Sequence, residues 1–168
     1  RYFVRLQAIG TRDPVENTFL SCARAISGNL PRVAGGPREL EAFKFPAVEP
    51  KSERYIAQSL LGYDFFRRGI VADAMLKDGK VQLFLVPENS PEAARKAFDR
   101  YCSYLEASGK KAQVTGSAER ISLSAVDPLY GNVFVEQNGR FLVGAIRIKD
   151  IPSAKQLVGQ LRQRVPGP

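Results

Sequence analysis

Apolar residues recur along this chain in two rhythms: short runs that suit strands, and stretches with a period near 3.6 that suit amphipathic helices. The helical rhythm appears three times, at Val15, Phe19, Cys22 and Ile26, at Ala94, Phe98, Tyr101 and Leu105, and at Ala154, Leu157, Val158, Leu161 and Val165. Each stretch follows an apolar run that opens on a basic residue. RYFVRLQAIGTRDPVENTFLSCARAI from Arg1, KVQLFLVPENSPEAARKAFDRYCSYL from Lys80 and RFLVGAIRIKDIPSAKQLVGQLRQRV from Arg140 therefore overlay as an internal repeat.

Each copy reaches a proline, Pro14, Pro91 or Pro152, where the strand ends. Proline fits the first turn of a helix because its missing N–H would have no intrahelical acceptor there. Asp13 and Ser90 precede two of these prolines as N-caps, while Asp150 lies one residue further from the third. Asp78-Gly79 and Asn138-Gly139 stand before the second and third copies, and such dipeptides suit two-residue type I′ hairpin turns.

The complete unit is strand, turn, strand, helix, and the expected fold is α+β, an antiparallel sheet packed against amphipathic helices. The first copy lacks its opening strand. The Arg1 to Ile9 strand is therefore expected to pair with an upstream part of the same polypeptide, and the start at Arg1 rather than Met reads as a processed protein or a fragment. Residues 1–27 form the incomplete first unit. Residues 28–55, dense in glycine and proline, read as a linker with a short helical piece near Arg38 to Phe43, and 56–168 hold two further hairpin-helix units sharing one compact fold with 1–27. A further strand is expected at Arg120 to Ala125, and DPLYG, Asp127 to Gly131, reads as a turn.

Composition narrows the chemistry. Hydrophobic residues make up 44% of the 168 and charged ones 25%, an ordinary globular mixture, and no apolar stretch has the length of a membrane helix. The net charge of +8 favours an acidic ligand or protein partner, but the basic residues are scattered and most simply form a solvated surface. There is no histidine, which removes Ser-His and Cys-His catalysis and imidazole metal ligation. Cys22 and Cys102 are too far apart in sequence for a CxxC site, so neither a metal nor a cofactor is expected. They fall at equivalent places in the first two helices; two free, buried thiols are the favoured reading, and a disulfide between neighbouring helices is the alternative.

Two clusters stand out as candidate binding residues. GYDFFRRG sets Tyr63, Asp64, Arg67 and Arg68 among aromatic residues, a combination that can stack on rings and hold phosphate or carboxylate. The plainer reading gives the rings to the core and the arginines to a solvated turn. Asp127 and Tyr130 would join Tyr63 and Asp64 if the units faced one another, though an Asp before Pro is commonly a turn residue bonded to nearby backbone. No spacing establishes a catalytic pair of carboxylates, and the balance is against an enzyme.

The segments YIAQSLLGYDFFRRGIVADAML, SPEAARKAFDRY and YGNVFVEQNGRFLVGA resemble the C-terminal part of an uncharacterised bacterial family, a domain of unknown function whose members often carry export signals. The resemblance implies a periplasmic, secreted or envelope-associated protein, a setting in which a disulfide would be more at home. The function expected on these grounds is an extracytoplasmic binding or interaction module. The alternatives are a nucleic-acid or polyanion binder acting through the basic surface, and a hydrolase or transferase using carboxylates and tyrosines.

Overall fold

The computed structural model describes Val4, Leu6, Gln7 and residues 16–30, 38–117 and 120–165. The chain divides into two compact units, 1–36 and 37–168. In the first, α1 spans Glu16–Asn29; its apolar stripe of Phe19, Cys22 and Ile26 is present, and none of its residues is buried. The Arg1 to Ile9 strand and the Asp13-Pro14 helix start fall largely outside the described residues.

The second unit begins with a short helix, α2 (Arg38–Glu41), and continues through β1 (Arg54–Ile56), β2 (Gly69–Leu76), β3 (Gly79–Pro87), α3 (Pro91–Ala107), β4 (Gln113–Gly116), β5 (Ile121–Asp127), β6 (Gly131–Asn138), β7 (Phe141–Ile148) and α4 (Ile151–Arg164). The seven strands form one antiparallel sheet in the order β1-β2-β3-β7-β6-β5-β4, so the α+β class holds. Within the glycine- and proline-rich stretch, Ala42, Phe43, Phe45 and Val48 are buried, and Val48 bridges to Ala74 of β2. Those residues belong to the core.

Strand alternation sends side chains to both faces, and both faces are covered. On one, Ala72, Leu83, Val143 and Phe134 pack with Phe43, Phe45 and the Leu157, Val158 and Leu161 stripe of α4. On the other, Phe84, Leu142, Val135 and Leu123 pack with Phe98, Tyr101 and Leu105 of α3 and with Leu60 and Phe66. The sheet is thus the middle of three layers, which is why its central strands read as nearly continuous apolar runs. Gly144 makes one close approach in this sandwich. A Cβ there would lie 2.5 Å from the Phe84 ring and 2.7 Å from the Phe134 carbonyl oxygen, and Phe84 is completely buried.

Both later helices start where their prolines indicate. Ser90 accepts from the Ala93 N–H at 3.1 Å, and Asp150, despite its extra residue of separation from Pro152, caps α4 by accepting from the Ser153 N–H at 3.0 Å, since the helix begins at Ile151. The two hairpin turns differ from the expected type I′ geometry. Leu76 pairs with Gly79 and Asn138 with Phe141, so the loop residues are Lys77-Asp78 and Gly139-Arg140. In each expected pair only the glycine has positive φ, Gly79 at 126° and Gly139 at 55°, whereas type I′ requires it at both central residues. Burying one face of each strand fixes the register, and the turn adapts to it by one residue.

Candidate functional site

The segment after β1 folds back on itself. Ser59 N–H donates to the Arg67 carbonyl (3.1 Å) and Leu60 N–H to the Phe66 carbonyl (2.7 Å), pinching residues 59–67 into a loop whose Leu60 and Phe66 enter the core. Closing so tight a loop puts Ser59 (φ 50°) and Leu61 (φ 55°) in the left-handed region, at about 1–2 kcal/mol for each non-glycine residue. Burial of Leu60, Leu61, Tyr63, Phe65 and Phe66 offsets that cost.

Tyr63 points from this loop to Asp127 at the end of β5. The Asp127 carboxylate, 1% exposed, accepts four hydrogen bonds. Oδ1 receives the N–H groups of Leu129 (2.8 Å) and Tyr130 (3.1 Å), forming the turn into β6. Oδ2 receives the hydroxyls of Tyr63 and of Tyr101 on α3, both at 2.6 Å, the short distance of charge-assisted bonds. Tyr130 extends the network by donating its hydroxyl to the Leu61 carbonyl (2.9 Å), and its own carbonyl accepts from Arg147 N–H (3.0 Å) at a β7 residue that also has positive φ, 60°. The Tyr104 ring lies 4.9 Å from that of Tyr63.

Burial first, and then the hydrogen bond to the Asp127 carboxylate, push the Tyr63 and Tyr101 hydroxyls far above the ordinary phenol pKa. Tyr130 is raised for the same first reason and by the charge of Asp127, with Arg147 acting in the opposite sense. All four Asp127 contacts go to protein donors, so the carboxylate has no lone pair directed at a substrate. Its chemical work is to fasten three elements, the 59–67 loop, α3 and the β5–β6 turn, at one point.

Three of the six candidate residues, Tyr63, Asp127 and Tyr130, come together here, on one face of a single sheet and not between facing units. The other three diverge. Asp64 pairs on the surface with Arg100 (3.2 Å), whose guanidinium lies 5.5 Å from the Phe65 ring centre; Arg67 reaches the buried Glu88 at 3.6 Å; Arg68 is exposed. Sequence reasoning placed Tyr101 in the core through helical spacing, but gave no sign that its hydroxyl meets Asp127.

Two further polar clusters flank the sheet. On β2 and β3, Asp73 meets Arg54 (3.4 Å), Lys80 (3.2 Å) and Gln82 (3.1 Å). Partial burial alone would raise its pKa, but the bonds from Gln82 and Lys80 and the charges of Lys80 and Arg54 outweigh it and hold the carboxyl below its usual value. On β6, the buried Glu136 meets Arg120 (3.3 Å) and Arg162 (3.1 Å). Lys80, Lys149, Asp78 and Asp150 line a shallow open depression beside the β2–β3 turn. Among the described residues no cluster of three His, Cys, Asp or Glu side chains is placed to hold a metal ion, and no helix is long and apolar enough to cross a membrane.

Both cysteines are free, and the expectation that both are buried is corrected: Cys22 is exposed on α1, and Cys102 is half-buried beside the α3 cluster. Burial, reinforced by Asp99 and Glu106, pushes the Cys102 thiol up to about 11.

No protein family and no curated protein matches this chain. Among solved structures, a protein from Thermotoga maritima described as a GTP binding regulator superposes with a TM-score of 0.55 at 13% sequence identity, over 75% of this chain and 83% of its own. At that identity the likeness concerns the fold. The expectation of an extracytoplasmic binding or interaction module is corrected by this neighbour, which is described as a GTP binding regulator.

Proposed function

We propose that this chain is a nucleotide-binding regulatory domain that acts by binding and not by turnover. The observation that carries the reading is the likeness, over 75% of the chain, to a protein described as a GTP binding regulator. The basic balance of the chain, +8, suits an anionic ligand of that kind. The sequence contains no G-x-x-x-x-G-K-[ST] phosphate loop, so phosphate would be held by side chains on the sheet and its helices.

The same reading includes a duplicated architecture, with β2–β3–α3 and β6–β7–α4 as two copies of one strand-turn-strand-helix unit. Their shared order and their capped, proline-started helices support it. The copies have diverged in where the helix goes, α3 to one face of the sheet and α4 to the other.

Isothermal titration of the chain with GTP, GDP and ATP tests the function directly. Saturable binding of a nucleotide below about 1 mM, with no release of phosphate over hours, is the expected result. Heat signals that never saturate, or steady hydrolysis, would remove the reading.

A further inference from the structure

We infer that the phosphates of the bound nucleotide lie along the flank of α4, on the strip of sheet that this helix leaves open. The inference rests on the nucleotide-binding reading above and names where that site is. Helix α4 packs over β6 and β7. Past it, the same sheet face continues across β5 and β4, where the register sets Ser124 beside Phe134, Ser122 beside Glu136, and Gln113 and Thr115 beyond those serines. Ser122 and Ser124 are half-buried, and Gln113 and Thr115 are exposed. This floor is made of hydroxyls and an amide, groups that donate to phosphate oxygens without requiring a counter-charge.

Three cations border it, one at Phe134 and two at Glu136. The Lys155 ammonium is held 5.2 Å from the Phe134 ring centre, and the Arg162 and Arg120 guanidiniums are both anchored on Glu136. Phe134 and Glu136 lie two residues apart on one strand, so the anchoring points are about 7 Å apart, a spacing a polyphosphate chain can follow. The ring and the carboxylate fix positions that long side chains would otherwise leave free, which lowers the entropy lost when an anion arrives. Among the described residues, Glu136 is the one carboxylate that the register places on this strip. Among the described residues, three cations stand against this one acid. The Arg120 side chain keeps 58% of its surface exposed, so its remaining N–H groups face solvent.

The depression beside the β2–β3 turn does not have this character. Lys80 is already bonded to Glu49 (3.0 Å) and Asp73 (3.2 Å), and Lys149 is matched by Asp78 and Asp150 in the same lining.

The test titrates a fluorescent GTP analogue into the parent chain and into Lys155→Glu, Arg120→Gln, Ser124→Asp and the control Lys149→Glu, with circular dichroism confirming that each variant melts like the parent. GTP, GDP, GMP and inorganic triphosphate compete in turn. The expected result is a ladder in which affinity falls with each phosphate removed, inorganic triphosphate competes, and Lys155→Glu and Ser124→Asp each weaken binding about tenfold or more while Lys149→Glu leaves it unchanged. Tight binding untouched by the strip variants would overturn this location and leave the nucleotide reading standing. A single-stranded RNA that binds more tightly than GTP and loses affinity in the same variants would overturn the occupant. No nucleotide binding by the parent chain would remove the reading and the inference together.

Discussion

Replacing Asp127 with asparagine should be among the most damaging single changes available in this fold, although it keeps size and shape. The carboxylate receives four donors and gives none. Asparagine has one acceptor oxygen, so either the two tyrosine hydroxyls or the two turn N–H groups must face an NH2 group. The Tyr101 side chain is 1% exposed and Tyr63 6%, so water cannot replace the lost acceptor, while the turn at Leu129 lies at the surface. The oxygen therefore turns toward the tyrosines, and the N–H groups of Leu129 and Tyr130 are left to solvent. Loss of charge weakens both short hydroxyl bonds, each worth about 1.5–3 kcal/mol with a charged partner and about half that with a neutral one. Adding the disrupted turn, the cost is about 2–4 kcal/mol, a large part of the ~5–15 kcal/mol that holds a domain together. Urea denaturation followed by circular dichroism measures it as a lower midpoint at unchanged slope. Tyr101→Phe alone should cost about 1.5–3 kcal/mol. In the Asp127→Asn background it should cost clearly less, because the bond it removes is already weak. A loss below about 0.5 kcal/mol for Asp127→Asn, or strict additivity of the two changes, would refute the claim that this carboxylate fastens the three elements.

Other consequences are accessible to simple measurements. Tyr63 and Tyr101 are raised far above an ordinary phenol, so below pH ~10 both folded and unfolded chains hold these protons, whereas above it only the unfolded chain releases them. Stability should then fall by about 1.4 kcal/mol per pH unit for the deeply buried Tyr101, with Tyr63 acting in the same direction, and tyrosinate absorbance at pH 11 should show part of the six tyrosines silent until the chain unfolds. Gly144→Ala should cost about 1–3 kcal/mol by forcing the buried Phe84 ring aside, visible as a lowered melting temperature; an unchanged melt would show that the ring has room. A thiol reagent at pH 8 should label exposed Cys22 quickly and Cys102, half-buried and shifted to about 11, slowly.

Periodicity gave the buried faces of α3 and α4, and the prolines their starts, because Ala94, Phe98, Tyr101 and Leu105, and then Ala154, Leu157, Val158 and Leu161, answer to a local rule that any packed helix obeys. The turn positions slipped by one residue, since a hairpin's register is decided by what each strand buries and not by its Asn-Gly or Asp-Gly pair. The site was legible only in part. Tyr63 and Asp127 are 64 positions apart, and their meeting depends on the order of seven strands, which no short-range pattern encodes. The same holds for the strip beside α4. Lys155, Arg120 and Ser124 read as scattered surface residues until the register sets them side by side.

The seam between β3 and β7 carries a kinetic consequence. It joins Gln82 to Ile146 and Pro87 to Phe141, whereas the β2–β3 and β6–β7 hairpins on either side close over loops of only two residues. Hairpins of that kind form in about 1–10 μs, but the seam must wait for a long loop to close before any of its contacts is rewarded. The two hairpins should therefore arrive early as separate, half-exposed sheets, and their docking along β3 and β7 should set the refolding rate of the whole unit. Substitutions buried in that seam, such as those at Phe84 or Val143, should slow folding, while those at the outer strands β1 and β4 should chiefly hasten unfolding.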